Sequence, residues 1–225
     1  MTKSNITNSN ITQSFSKKII LASNNQGKIT EFNALFNALN INIVSQNEYK
    51  IPSIEETGLS FVENAILKAR HAAALSGLPS IADDSGLEVD YLNGSPGIYS
   101  ARFAQIESKL MPDLEINSDH ANNQHLLKML ENVPKAQRSA RFRCVLVYMR
   151  HKDDPSPIIA DGAIDGIILD APHGDNGFGY DPLFYLPDLG LSMAQINPAL
   201  KNTISHRALA LKELMFKIQE LKYNH

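Results

Sequence analysis

The chain has 225 residues, 43% of them hydrophobic and 20% charged, enough apolar material for one sizeable core. Its formal net charge of −3 excludes the broad basic face of a dedicated nucleic-acid binder, though a local cation cluster for a single nucleotide remains compatible. No apolar run approaches the ~20 residues of a membrane span, and the lone Cys144 leaves no intrachain disulfide, which fits a reducing, cytoplasmic setting.

Met1 to Ser16 is rich in Ser, Asn and Thr without an apolar stripe. It reads as a disordered extension, because it has too little apolar surface to offset its ordering entropy. Residues 17–225 then read as one domain. Lys17 to Ala22 (KKIILA) is a short buried strand. Ser23, Asn24, Asn25, Gln26, Gly27 and Lys28 form a polar loop feeding a helix, whose apolar positions Phe32, Leu35, Phe36 and Leu39 keep helical spacing. A loop of this kind offers backbone N–H donors and a positive dipole end, to which Lys28 adds a charge. It lacks the GxxxxGK[ST] pattern of a Walker A loop and is equally compatible with an ordinary strand–helix turn. Ile41 to Val44 is the next strand.

Ser60 and Glu63 make a capping box that starts a second helix. Phe61, Ala65, Ile66, Ala69, Ala72 and Ala73 form its apolar stripe, and Gly77-Leu-Pro79 stops it. Asn64, Lys68 and His71 recur at i, i+4 and i+7, so they share one face. Ser80-Ile-Ala82 and Leu87 to Tyr91 read as strands flanking an acidic turn, Asp83-Asp-Ser-Gly86. Clustered carboxylates repel unless a proton or cation sits among them. A hard divalent cation meets that need, as does a solvated turn, and Glu55-Glu56 carry the same ambiguity.

Gln105 to Asn117 reads as an irregular insertion and Asp119 to Leu130 as a helix. Arg141 to Arg150 and Ile158 to Asp170 read as a long hairpin. In Gly174-Asp-Asn-Gly-Phe-Gly-Tyr-Asp-Pro182, three glycines surround two aromatics. That favours backbone held close to a flat ligand, with Phe178 or Tyr180 available to stack, or else a loop whose aromatics serve the core. Lys201, His206 and Arg207 cluster where the final helix, Thr203 to Leu221, is expected to begin, a good place for an anion or a polar base edge.

In combination these stretches are specific. SNNQGKITEF (23–32), EETGLSFVENAILKARHAAALSGLPSIADDSGLEVDYLNGSPGIYSARFA (55–104), NGFGYDPLF (176–184) and SHRALALKEL (205–214) resemble the inosine triphosphate pyrophosphatase family. The resemblance implies an α/β fold, a long twisted mixed sheet with flanking helices forming two lobes around a central substrate cleft, and a homodimer. It implies hydrolysis of ITP, dITP or XTP to a monophosphate and pyrophosphate with Mg²⁺, and no nucleic-acid or membrane partner. The phosphate-contacting pattern falls on Ser23, Asn25 and Lys28 within the 23–28 loop, with Lys68 from the second helix. Asp84 takes the role of proton acceptor and, with Glu55 or its neighbour Glu56, of metal ligand, while Ser85 touches substrate. Base recognition falls on Phe178, Gly179, Tyr180 and Asp181, then on Lys201, His206 and Arg207. Two other readings fit the same scaffold: a non-catalytic nucleotide sensor, or a pyrophosphatase for other modified nucleotides. The acidic cluster beside three lysines disfavours the sensor, since binding alone needs no base.

Overall fold

The computed structural model describes residues 18–39, 41–106 and 118–223. The expected Met1–Ser16 extension and all but the first two residues of the Gln105–Asn117 stretch lie outside them.

The apolar run near the start forms β1 (Ile19–Leu21), buried throughout. It pairs in parallel with β2 (Ile43–Ser45) and with β3 (Ser80–Val89). Parallel neighbours need a crossover, and a strand covered on both faces reads as an unbroken hydrophobic run, as Ile19-Ile-Leu does. The crossovers carry α1 (Gln26–Ala38) and α2 (Phe61–Ser76). β4 (Ser139–Met149) and β5 (Ile158–Ile168) continue the sheet, followed by the antiparallel β6 (Phe184–Leu186) and β7 (Leu191–Ser192). The order is β2-β1-β3-β4-β5-β6-β7, a mixed seven-stranded sheet, as the expected α/β class requires. The other α-helices among the described residues are α3 (Phe103–Ile106), α4 (Asp119–Met129), α5 (Pro198–Ile204) and α6 (His206–Tyr223).

The second helix starts where its capping signal places it. The Ser60 hydroxyl accepts from the Glu63 N–H, while the Glu63 carboxylate accepts from the Leu59 N–H at 2.9 Å and the Ser60 hydroxyl at 2.7 Å. Gly77 closes the helix with φ +67°, its N–H reaching the Ala73 carbonyl. Ala65, Ala69, Ala72 and Ala73 are buried, and these small side chains let α2 pack closely on β1.

Chain contacts divide the protein into two compact units. One holds the chain through Asp84, Val145–Gly162 and everything from Arg207; the other holds Ser85–Cys144 and Ala163–His206. The first buries Ile20, Phe32, Phe36, Ala65 and Ile81. The second is built on Leu87, Leu126, Phe142, Leu183 and Phe184.

Three expectations need correction. Asp83 to Gly86 is not a turn between two strands but the middle of one, β3, because buried ion pairs make its carboxylates tolerable inside a sheet. The final helix is not continuous: Ser205, at φ −66° and ψ 156°, is extended and separates α5 from α6. The helix expected from Ile29 begins earlier, at Gln26, capped by Asn25.

Candidate active site

In the first unit, the polar loop after β1 splits in two. Ser23, Asn24 and Asn25 stay outside the helix, whereas Gln26, Gly27 and Lys28 form its first turn. The Asn25 carboxamide accepts from the Lys28 N–H at 3.0 Å, and the Ser23 hydroxyl accepts from the Asn25 N–H at 3.3 Å. Asn24 is held by Ser53 and by Gln46, whose amide donates at 2.7 Å. First-turn N–H groups have no partner within their own helix, so this end can receive an anion.

Inside β3, successive side chains leave on opposite sides, and each of the two adjacent aspartates meets its own lysine. Lys28 Nζ lies 2.8 Å from Asp83 Oδ2, and Lys68 Nζ lies 2.8 Å from Asp84 Oδ1. Lys68 also donates to Glu56 Oε1 at 2.7 Å, so two carboxylates share one ammonium. The i, i+4, i+7 face of α2 grips the segment that carries Glu56. Asn64 accepts from the Gly58 N–H at 2.8 Å and donates to Asp84 at 3.4 Å, and His71 Nε2 contacts the Pro52 carbonyl at 2.9 Å. Arg207, at the start of α6, pairs with Glu31 of α1 at 2.8 Å.

These surroundings drive the two aspartates apart. Burial favours the neutral acid at Asp83, but Lys28, Lys68 and Arg207 override it and hold that carboxyl at about 2. At Asp84 burial prevails over Lys68 and Lys28, and the carboxyl is raised above its ordinary value. Lys68 is buried too, yet Asp84, Asp83 and Glu56 together raise its ammonium well above the usual range.

Of the two adjacent glutamates, Glu56 is the one that meets Lys68. Burial alternates along Ile54–Gly58, so Glu55 is exposed while Glu56 turns inward onto Lys68. Among the described residues no group of three or more His, Cys, Asp or Glu side chains is arranged to hold a metal ion. Mg²⁺ beside phosphates commonly takes only one or two protein carboxylates, with substrate oxygens and water completing its shell. Glu56 and Asp84, already converging on one cation, fit that requirement.

The second unit holds the other expected group. Gly174, Gly177 and Gly179 have φ of +83°, +80° and +62°. At Gly177 a Cβ would fall 2.0 Å from Asp181 Oδ2, so no side chain is possible there. Asp181 Oδ2 accepts from the Phe178 N–H at 2.9 Å and from Lys201 Nζ at 2.6 Å, and that ammonium lies 5.1 Å from the centre of the Phe178 ring. His206 stacks on Phe142 at 4.9 Å with an interplanar angle of 19°. Of the two aromatics, only half-buried Phe178 suits stacking on a ligand. Tyr180 is a core residue: its ring is buried and its hydroxyl donates to the Ser100 carbonyl at 2.8 Å. Ser85 follows Asp84 in β3, half-buried. Lys201 lies in α5 and His206 with Arg207 in α6, so the expected cluster is spread over two helices.

The sequence offers Glu56 and Asp83 as candidate cation-site carboxylates and places Asn64 on the face of Lys68, but assigns none of the three a contact. Asn64 had a legible signal, lying one turn before Lys68 on the same face.

A mixed α/β sheet whose helices set lysines against the buried carboxylates of β3 defines a protein suited to a polyanion and its counter-cation. The Ham1 family model matches residues 19–217. A "dITP/XTP pyrophosphatase" of Vibrio cholerae is 53% identical over 204 residues, covering 91% of this chain and 98% of the relative. One of the same name from Thioalkalivibrio sulfidiphilus is 55% identical over 202 residues, covering 90% and 98%. The solved structure of a HAM1 protein from Coxiella burnetii superposes with a TM-score of 0.79 at 44% identity, covering 90% of this chain and 98% of that one. This chain belongs to the Ham1 family.

Proposed function

We infer that the chain is a nucleoside triphosphate pyrophosphatase that hydrolyses non-standard purine nucleoside triphosphates, ITP, dITP and XTP, to the monophosphate and pyrophosphate. The observation that carries this reading is the adjacent pair Asp83–Asp84, each on its own lysine and pushed to opposite protonation tendencies. Paired carboxyls driven apart by their surroundings mark a division of labour between charge holder and proton acceptor.

In this division Asp83 stays ionised and fixes Lys28. Asp84 accepts the proton of a water that attacks the α-phosphorus, while the bond to the leaving pyrophosphate breaks. General-base assistance of this kind is worth roughly 10²–10⁴-fold. Lys28 and Lys68 offset the charge of the phosphates, which an anionic site could not otherwise admit. Glu56 and Asp84 share the ammonium of Lys68, two carboxylates on one cation. A Mg²⁺ ion held by Asp84 and Glu56 would supply the missing positive charge to the phosphates. Ser23, Asn25 and the first-turn N–H groups of α1 serve the same end of the substrate.

The base is assigned to Phe178, Asp181, Lys201 and His206, all within the second unit. A 6-oxo group needs donors opposite it, and the 6-amino group of adenine would set donor against donor. Mismatched polar groups of that kind reject by up to ~10⁴–10⁵. The family resemblance extends the proposal to a cytoplasmic homodimer, whose oligomeric state sedimentation tests. No helix among the described residues is long and apolar enough to cross a membrane.

The test is pyrophosphate release from ITP, XTP, dITP, GTP and ATP, with Mg²⁺ and with chelator. The reading requires turnover of the first three that stops with chelator and returns with Mg²⁺. Preference for ATP, or undiminished turnover in chelator, would overturn the substrate class or the metal respectively.

A further inference from the structure

The loop assigned to the base is fastened from outside by a helix with no part in the chemistry. On α4, Asp119 and Asn123 are one turn apart and therefore face the same way. Asp119 Oδ2 accepts from the Gly179 N–H at 2.7 Å, and the Asn123 carboxamide donates to the Gly179 carbonyl at 2.9 Å. Both faces of one loop residue are thus taken by one helix. Gly179 is also the residue that turns the loop, with φ +62° and nothing within 4 Å of where a Cβ would stand, so its conformation rather than crowding demands glycine. A cavity of about 370 Å³ lined by α4 and the loop lies beside these bonds. On either side of Gly179 in the chain stand Phe178 and Asp181, the latter holding Lys201.

We propose that Asp119 and Asn123 are positioning residues for base recognition: their two-point hold on Gly179 sets the Phe178 ring and the Asp181–Lys201 pair, and so governs capture of the purine base rather than phosphoryl chemistry. This rests on the reading that the Phe178 loop takes the base. A carboxylate accepting a backbone N–H and an amide donating to a backbone carbonyl are the two partners a left-handed glycine peptide needs, and removing either frees the loop to sample other turns. Asp119 also sits in the first turn of α4, where a carboxylate steadies the helix. That role alone would lower thermal stability without separating KM from kcat.

The experiment compares the full chain with Asp119→Ala, Asn123→Ala and the conservative Asp119→Asn, which keeps an acceptor for the Gly179 N–H. KM and kcat for ITP, inhibition by pyrophosphate, and hydrogen exchange across residues 174–182 are measured on each. Both alanine variants should raise KM for ITP about tenfold, the scale of one charge-assisted or buried hydrogen bond, with kcat and pyrophosphate inhibition held near the parent. Exchange across the loop should quicken, and Asp119→Asn should recover most of both effects. Should an alanine variant fail to fold, Asn123→Asp, which sets an acceptor against the Gly179 carbonyl, carries the same comparison at constant size. Unchanged exchange would overturn the clamp. Faster exchange with parent KM, or KM and pyrophosphate inhibition worsening together, would overturn its role in base capture. A parent enzyme that fails to hydrolyse ITP strikes the functional reading alone, since the exchange measurement still tests the clamp without substrate.

Discussion

Asp84→Asn separates chemistry from binding because the structure leaves so little else for it to disturb. Asparagine keeps the volume of the side chain and one oxygen, which can still accept from Lys68 where Asp84 Oδ1 now does at 2.8 Å. Lys68 also retains Glu56 at 2.7 Å, so its ammonium is not left unpaired in the interior. The loss is therefore that of a proton acceptor, of one negative charge at the proposed Mg²⁺ site, and of the oxygen that Asn64 reaches at 3.4 Å. General-base removal costs roughly 10²–10⁴ in rate, about 3–5 kcal/mol of transition-state stabilisation. The expected result is a kcat for ITP reduced by that factor, with a melting temperature close to the parent and ITP still bound in calorimetric titration. A kcat within about threefold of the parent would refute the assignment of the base, since a base used only in the transition state must register in kcat.

Asp83→Asn should behave differently, costing stability because it strips Lys28 of its buried partner. The gap between 3.8 for the free side chain and about 2 in the folded protein corresponds to about 2 kcal/mol. The folded value is the lower one, so this stability is present above about pH 4 and lost as pH falls toward 2. Urea unfolding should show a wider gap between parent and variant at pH 7 than at pH 3, and an equal gap would contradict the argument. Lys28→Ala should raise KM for ITP by about tenfold or more while retaining part of kcat, since a cation on phosphate acts in ground and transition states alike. Collapse of kcat at unchanged KM would place Lys28 in the chemistry instead. Glu56→Gln should raise the Mg²⁺ concentration for half-maximal activity by about tenfold or more, against little change for Glu55→Gln. The reverse order would return the metal ligand to Glu55.

Much of this arrangement was legible because local rules and tertiary packing agree. Ser60 with Glu63 marks a helix start whatever surrounds it, and the 3.6-residue repeat alone places Asn64, Lys68 and His71 on one face. The acidic stretch Asp83–Gly86 was misread because two aspartates, a serine and a glycine have weak strand propensity. What makes it a strand is non-local: Lys28 and Lys68 arrive from two separate helices earlier in the chain, and their charge makes burial tolerable. Ser205 was missed for a related reason, since its extended backbone interrupts a sequence with no glycine or proline to mark the break. Choosing Phe178 over Tyr180, or Glu56 over Glu55, depends on which way neighbouring residues point, and composition carries no information about that. β6 and β7, three and two residues long, are too short for periodicity to reveal.

The central claim is that water attacks the α-phosphorus and pyrophosphate leaves intact. Hydrolysis of ITP in ¹⁸O-enriched water, with both products resolved by mass spectrometry, tests it directly. The account predicts one labelled oxygen in the monophosphate and none in the pyrophosphate. Label in the pyrophosphate, or release of orthophosphate in its place, would contradict it.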